Sequence, residues 1–98
     1  MDEIRLRKKL EAADSISSEK AIRSRLSKAL AAENMLGENF DVIVADDRKM
    51  YQALLKLKEN PREKNGVYQN SLRWYYQAVN DRSFPKLQEY EREHMRRL

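Results

Sequence analysis

The sequence contains no cysteine, which excludes disulfides, thiolate zinc sites and cysteine nucleophiles. Only two glycines and two prolines occur in 98 residues, so long stretches are free to form helices. No stretch approaches the ~20 apolar residues that a membrane-spanning helix needs. The first residues also lack the run of about 7–15 apolar side chains that is typical of a secretory signal. These absences predict a cytoplasmic, soluble helical protein.

Acidic residues are outnumbered, with 16 Asp and Glu against 20 Lys and Arg, and the net charge is +4. Apolar residues make up 41% and charged residues 37%, which predicts one domain over residues 1–98 with a thin core. A basic balance suits nucleic-acid binding, although the distribution of charge matters more than its sum.

The last helix reaches Leu98 without a capping signal, so the chain is either a fragment of a longer protein or ends in a helix natively.

The spacing of apolar residues predicts an all-α fold, a small bundle of about five helices. The helices are expected over residues 2–13, 19–36, 47–59, 67–80 and 85–98, with a short helical turn over 40–45. Their boundaries follow from capping and breaking residues. These are Ser17 or Ser18, Gly37, Asp41, Asp46 and the Asn60-Pro61 pair, and Pro85 occupies a tolerated first position.

One apolar stripe contains most of the aromatic residues. Tyr68, Tyr75 and Tyr76 recur at helical spacing, which predicts that they pack in the core and do not form a stacking platform for bases. Trp74 lies off the centre of this stripe. It either closes the edge of the core or anchors a partner.

The helix predicted over 19–36 has a cationic side without acids between its first and last lysine. Lysine and arginine neutralise phosphates, and serine lets a phosphate backbone approach closely. This pattern predicts phosphate contacts, and the alternative is a solvated face without a partner. The candidate residues are Lys20, Arg23, Ser24, Ser27 and Lys28.

The helix predicted over 67–80 has a second side without acids, rich in amides. Arg, Asn and Gln match the edges of guanine and adenine in a major groove. The alternative is that these amides only solubilise the helix. The residues expected to approach base edges are Gln69, Asn70, Arg73 and Gln77.

No pattern in the sequence supports catalysis, a cofactor or a metal. Asp41 and Asp46 are expected to cap helices, and a lone His94 cannot assemble a zinc site without an unusual set of carboxylates. Glu33 points toward the apolar side of its helix, which predicts an ion pair with an arginine. We find no nucleophile with a base, and no glycine loop for phosphates. We therefore expect no enzyme and no small-molecule substrate.

Two segments resemble a known family. The first is residues 21–28 (AIRSRLSK), followed by residues 33–37 (ENMLG) and Phe40-Asp41, and the second is residues 68–80 (YQNSLRWYYQAVN). Over about residues 19–82 they resemble the core-binding, SAM-like domain of tyrosine recombinases and phage integrases. The resemblance implies a helical bundle that clamps DNA beside a separate catalytic domain. The catalytic residues of that family belong to the other domain, so the resemblance implies binding without strand cleavage.

We therefore expect a non-catalytic module that binds duplex DNA. The main alternative is a protein–protein interaction or homodimerisation domain that uses the helix over 85–98, whose stripe contains Leu87, Tyr90, Met95 and Leu98. A third interpretation is a small inhibitor or antidefence protein from a mobile element. It rests on size and on the resemblance alone.

Overall fold

The computed structural model describes residues 1–13 and 18–94, and these form helices joined by short connections without a strand. The Cα radius of gyration is 13.3 Å, against roughly 13 Å for a compact domain of 100 residues. The predicted all-α class is confirmed, with six helices in the described residues. They are α1 (Glu3–Ala12), α2 (Glu19–Leu36), α3 (Phe40–Val44), α4 (Asp47–Glu59), α5 (Val67–Asn80) and α6 (Leu87–His94).

Capping residues fix most of the helix ends where the sequence predicts them. Ser18 Oγ accepts a hydrogen bond from the Ala21 backbone N–H at the start of α2. Gly37 ends α2 with φ of 67°, a left-handed conformation that glycine adopts without a steric penalty. Asp46 accepts from the N–H groups of Arg48 and Lys49 and caps α4. The alternative cap, Ser17, lies outside the described residues.

Two predicted boundaries are wrong. The side chain of Asn39, and not that of Asp41, caps α3, because Asn39 Oδ1 accepts from the Asp41 N–H at 2.7 Å. The last helix begins at Leu87 and not at Pro85. The carbonyl oxygen of Pro85 accepts a hydrogen bond from Arg73, so this carbonyl has its partner outside the helix.

Helix α5 lies at the centre of the fold and packs against α1, α2, α3 and α4. Tyr68, Tyr75 and Tyr76 are buried, as predicted from their spacing. Two of these buried hydroxyls donate to carboxylates of neighbouring elements, Tyr75 to Asp41 and Tyr76 to Asp47. The aromatic stripe therefore forms the core and ties α3 and α4 to α5.

The described part of α6 packs against the same core. Tyr90 is buried, with its ring stacked 4.8 Å from that of Tyr51 and 5.4 Å from that of Phe84, centroid to centroid. Leu87 is half-buried. This part of the predicted stripe faces the domain itself, whereas Met95 and Leu98 lie outside the described residues.

One large apolar residue of α2 is exposed. Leu30 is 43% accessible, because the buried side of α2 is centred on Ile22, Ala29 and Ala32. At 100° per residue, Leu30 lies about 100° from Ala29 around the helix.

None of the described helices combines the length and the apolar character needed to cross a bilayer.

Candidate nucleic-acid interface

A cleft between α2 and α5 brings residues from both predicted binding sides together. Its volume is about 310 Å³, and small residues on both helices, Ala21 and Ser71, contribute to its walls. Ser24 and Lys28 of α2 face Asn70 of α5 across it. The cleft thus combines a hydroxyl, an ammonium and an amide, three groups that contact phosphates and bases in nucleic-acid complexes.

The position of Lys28 is set by an aromatic neighbour. Its Nζ lies 5.6 Å from the centroid of the Tyr68 ring, within the range of a cation–π contact. Tyr68 is buried, so the ammonium lies beside the edge of the core, and Lys28 stays partly accessible at the cleft. The ammonium is therefore held near Ser24 and Asn70.

The other α2 candidates divide into two groups. Lys20 and Ser27 are exposed and lie within about 60° of Ser24 around the helix. Arg23 lies about 140° from Lys28, on another side of α2, where its Nε is 3.3 Å from Glu19 Oε1. The structure does not bring Arg23 to the cleft.

Glu19 also pairs with α1. Arg7 Nη1 donates to both of its carboxylate oxygens, at 2.9 and 3.0 Å. These bonds from Arg7, and to a lesser degree the Arg23 side chain, lower the pKa of Glu19. The start of α2 therefore carries an ion-pair cluster on the side of Arg23.

A second cavity, of about 140 Å³, continues the surface along α5. Asn70 borders both cavities, and Arg73, Trp74 and Gln77 complete the α5 wall of the second, opposite Ser83 and Phe84. The predicted α2 and α5 sides therefore meet at Asn70 and form one continuous surface, which we call the α2–α5 surface. Among its members are Ser24, Arg25 and Lys28 of α2 and Asn70, Arg73, Trp74 and Gln77 of α5.

Arg73 has a structural partner on this surface. Its Nη1 donates to the carbonyl oxygens of Phe84 and Pro85, at 2.9 and 3.2 Å. The guanidinium lies 5.9 Å from the centroid of the Phe84 ring, and burial lowers the pKa of Arg73. Arg73 thus holds the segment before α6 against α5, which leaves less of its guanidinium for a base edge.

Gln69 and Asn80 do not belong to the α2–α5 surface. Gln69 is half-buried and lies about 100° from Asn70 around α5. Asn80 Nδ2 donates to the carbonyl oxygen of Val44 at 3.0 Å and joins the ends of α5 and α3. Part of the acid-free side of α5 is therefore used for packing.

The cations of α1 were not among the predicted site residues. Lys9 shares a cavity of about 220 Å³ with Trp74 and Gln77, and Arg5 and Lys8 lie beside it in a wide depression. Within residues 1–13 and 18–94, Arg5, Lys8 and Lys9 make no ion pair, whereas Arg7 does. The run of four cations in residues 5–9 (RLRKK) is the signal that could have identified this helix.

Two carboxylates form contacts that the sequence did not predict. Within the described residues Glu33 pairs with no arginine; its Oε2 lies 3.2 Å from the Met1 ammonium and accepts from the Phe40 N–H. Glu63, in the loop before α5, accepts from the N–H groups of Tyr68 and Gln69. This carboxylate caps α5 and occupies the positive end of that helix.

No group of three potential metal ligands occurs among the described residues. Asp41 and Asp47 accept hydrogen bonds from buried tyrosines, and Asp46 caps α4. His94 is exposed, and its ring lies 4.4 Å from that of Tyr90. These three carboxylates thus have structural partners.

Comparison with protein-family models, with curated proteins and with solved structures finds no match to this chain. The resemblance to the core-binding domain of tyrosine recombinases therefore stays a prediction.

Proposed function

We propose that this chain is a non-catalytic DNA-binding module that contacts DNA through the α2–α5 surface. The observation that carries the proposal is the cleft in which Ser24 and Lys28 of one helix face Asn70 of another. These residues belong to the two acid-free sides that the sequence predicts on two separate helices. Their meeting in one cleft supports a common ligand for the two sides.

Each residue has a distinct task in this proposal. Lys28 and Lys20 neutralise phosphates, and the small side chains of Ser24 and Ser27 let the backbone approach α2. Asn70 and Gln77 present amides that can both donate and accept, as base edges require. Arg73 contributes chiefly by holding the Phe84–Pro85 segment in place.

The nature of the surface favours a polyanion over an apolar protein partner. Its accessible members are cationic or neutral, and Glu63, in the loop before α5, is bonded to backbone N–H groups of that helix. In the rival interpretation a dimer uses the stripe of residues 85–98, but the described part of that stripe, Leu87 and Tyr90, packs inward.

The test is a titration of the protein with duplex DNA at two or more salt concentrations, measured by fluorescence anisotropy of labelled DNA. Affinity is expected to fall with salt, because bound phosphates release counterions. Lys28→Ala should weaken binding and reduce the magnitude of the log–log salt slope by about 0.9.

Lys58→Ala is the matched control, because Lys58 is exposed on α4 and lines neither cavity of the α2–α5 surface. It should leave both affinity and slope unchanged. Affinity that does not depend on salt, or equal losses in the two variants, would contradict the proposal. Light scattering in the same buffers detects a homodimer. A tight dimer that does not bind DNA would favour the homodimerisation domain.

A further inference from the structure

Trp74 occupies the middle of the surface and borders open space on two sides. One side is the cavity that it shares with Asn70, Arg73 and Gln77, and the other is the cavity that it shares with Lys9 and Gln77. The side chain is half-buried, with its inner part packed against the core. An indole placed between two cavities has ring surface available to a flat ligand.

Cations lie on both flanks of this indole. Lys9 of α1 borders one cavity, and Lys28 of α2 borders the neighbouring cleft beyond Asn70. Arg5 and Lys8 extend the positive charge along α1. From α1 to α2 the surface thus carries a cation, then an aromatic ring flanked by amides, and then a second cation.

The central helix of this arrangement does not project from the molecule. A helix with its side chains is about 10–12 Å across, close to the ~12 Å width of the major groove of B-DNA. Packed helices lie about 8–10 Å apart axis to axis, so α1 and α2 flank α5 too closely for α5 to enter the groove alone. Gln77 is half-buried as well. A ligand has to bring its bases to α5.

We propose that Trp74 stacks on an unpaired base of a single-stranded or locally open DNA segment, with Lys9 and Lys28 contacting phosphates on either side. The inference rests on the proposed DNA-binding function and specifies the form of DNA that the surface takes. Asn70 and Gln77 lie beside the ring, where they reach the edge of a stacked base. Aromatic stacking accepts any base, so sequence preference is weak.

The experiment uses the intact chain and its single tryptophan as the reporter. Tryptophan fluorescence is followed during titration with a single-stranded oligonucleotide, with its duplex and with a strand of equal length whose sugars carry no bases. The base-bearing strand should quench Trp74 and bind more tightly than the abasic strand, which keeps the phosphates and lacks the stacking surface.

Variants are compared by anisotropy of a labelled strand. Trp74→Leu should weaken single-strand binding about 5- to 150-fold, the range for loss of one base–aromatic stack, and Trp74→Phe should keep more of the affinity. Lys9→Ala should lower the magnitude of the salt slope by about 0.7, and Lys58→Ala should not change it.

The outcomes separate this inference from the proposed function. Salt-dependent binding with equal affinity for base-bearing and abasic strands and unchanged tryptophan fluorescence would overturn stacking and leave DNA binding in place. A preference for duplex DNA, together with no loss of affinity in Trp74→Leu, would also overturn stacking and leave DNA binding in place. No salt-dependent binding to any of the three ligands would overturn both. The abasic comparison needs no variant, so a destabilised Trp74→Leu protein does not weaken the test.

Discussion

The Oε2 atom of Glu33 accepts a hydrogen bond of 2.8 Å from the backbone N–H of Phe40. Phe40 is the first residue of α3, and the first N–H groups of a helix have no acceptor within that helix. The bond spans the turn at Gly37 and joins the last turns of α2 to the start of α3. The Met1 ammonium, 3.2 Å away, adds a positive charge to the same carboxylate.

Replacing Glu33 by alanine should lower the free energy of unfolding by about 1–3 kcal/mol, because a sheltered N–H loses its acceptor. Glu33→Gln keeps an oxygen and should cost less. Urea denaturation measures both. Glu38→Ala is the control, since Glu38 forms an exposed pair with Lys49 worth less than about 1 kcal/mol. Equal losses at the two positions would contradict the assignment.

Replacing Arg73 by alanine should destabilise the fold by about 1.5–3 kcal/mol, the range for hydrogen bonds to a charged group. The Nη1 atom bonds two carbonyl oxygens, and lysine cannot reproduce the planar guanidinium, so Arg73→Lys should recover only part of the loss. Chemical denaturation measures the effect, with the exposed Arg62→Ala as control. Unchanged stability together with weakened DNA binding would assign Arg73 to the ligand instead.

Replacing Glu63 by alanine should cost about 0.5–2 kcal/mol, as for other side chains that cap helix N-termini. The loss should appear locally, as faster hydrogen exchange at the amides of Tyr68 and Gln69, which donate to this carboxylate. Glu59→Ala, an exposed change at the end of α4, is the control. Unaltered exchange at both amides would show that the bonds do not stabilise α5.

Alkaline pH should destabilise the fold through its buried tyrosines. Burial, followed by the hydrogen bond to Asp47, raises the pKa of Tyr76 from 10.0 to about 12. Between these values the unfolded chain releases the proton while the folded chain retains it. The stabilisation is therefore complete below pH 10.0 and declines as the pH rises toward about 12.

Urea denaturation at a series of pH values across this window measures the decline. The variant Tyr76→Phe should show a shallower decline than the parent, because one proton-linked group is removed. Tyr75, whose pKa burial also raises to about 12, accounts for part of the remaining slope. Identical slopes in parent and variant would contradict the link to Tyr76.

Local signals in the sequence were sufficient for most of the fold. Ser18, Gly37 and Asp46 act through backbone atoms two to four residues away, so their roles can be read from neighbouring residues. The cap of α3 was assigned wrongly because Asn39 and Asp41 are both good capping residues. The distant Tyr75 hydroxyl donates a hydrogen bond to the Asp41 carboxylate, and the neighbouring sequence does not reveal this contact.

The site could be predicted only in part, for the same reason. The sides of α2 and α5 follow from helical periodicity, and the residues that meet at Asn70 belong to them. The commitment of Arg73 to the Phe84 and Pro85 carbonyls, and the position of Lys9 beside Trp74, depend on tertiary packing. Periodicity assigns a residue to a side of its helix but does not identify the residue that packs against it.

The backbone N–H of Asp2 donates to the Tyr75 hydroxyl, 73 residues further along the chain. Because α5 is the packing partner shared by α1, α2, α3 and α4, a nascent polypeptide has to extend through about residue 80 before any of these helices meets it. Helices α1 to α4 also contact one another, but a product truncated before Val67 would lack the one helix against which all four pack, and the apolar surface that α5 covers would be open to chaperones and proteases.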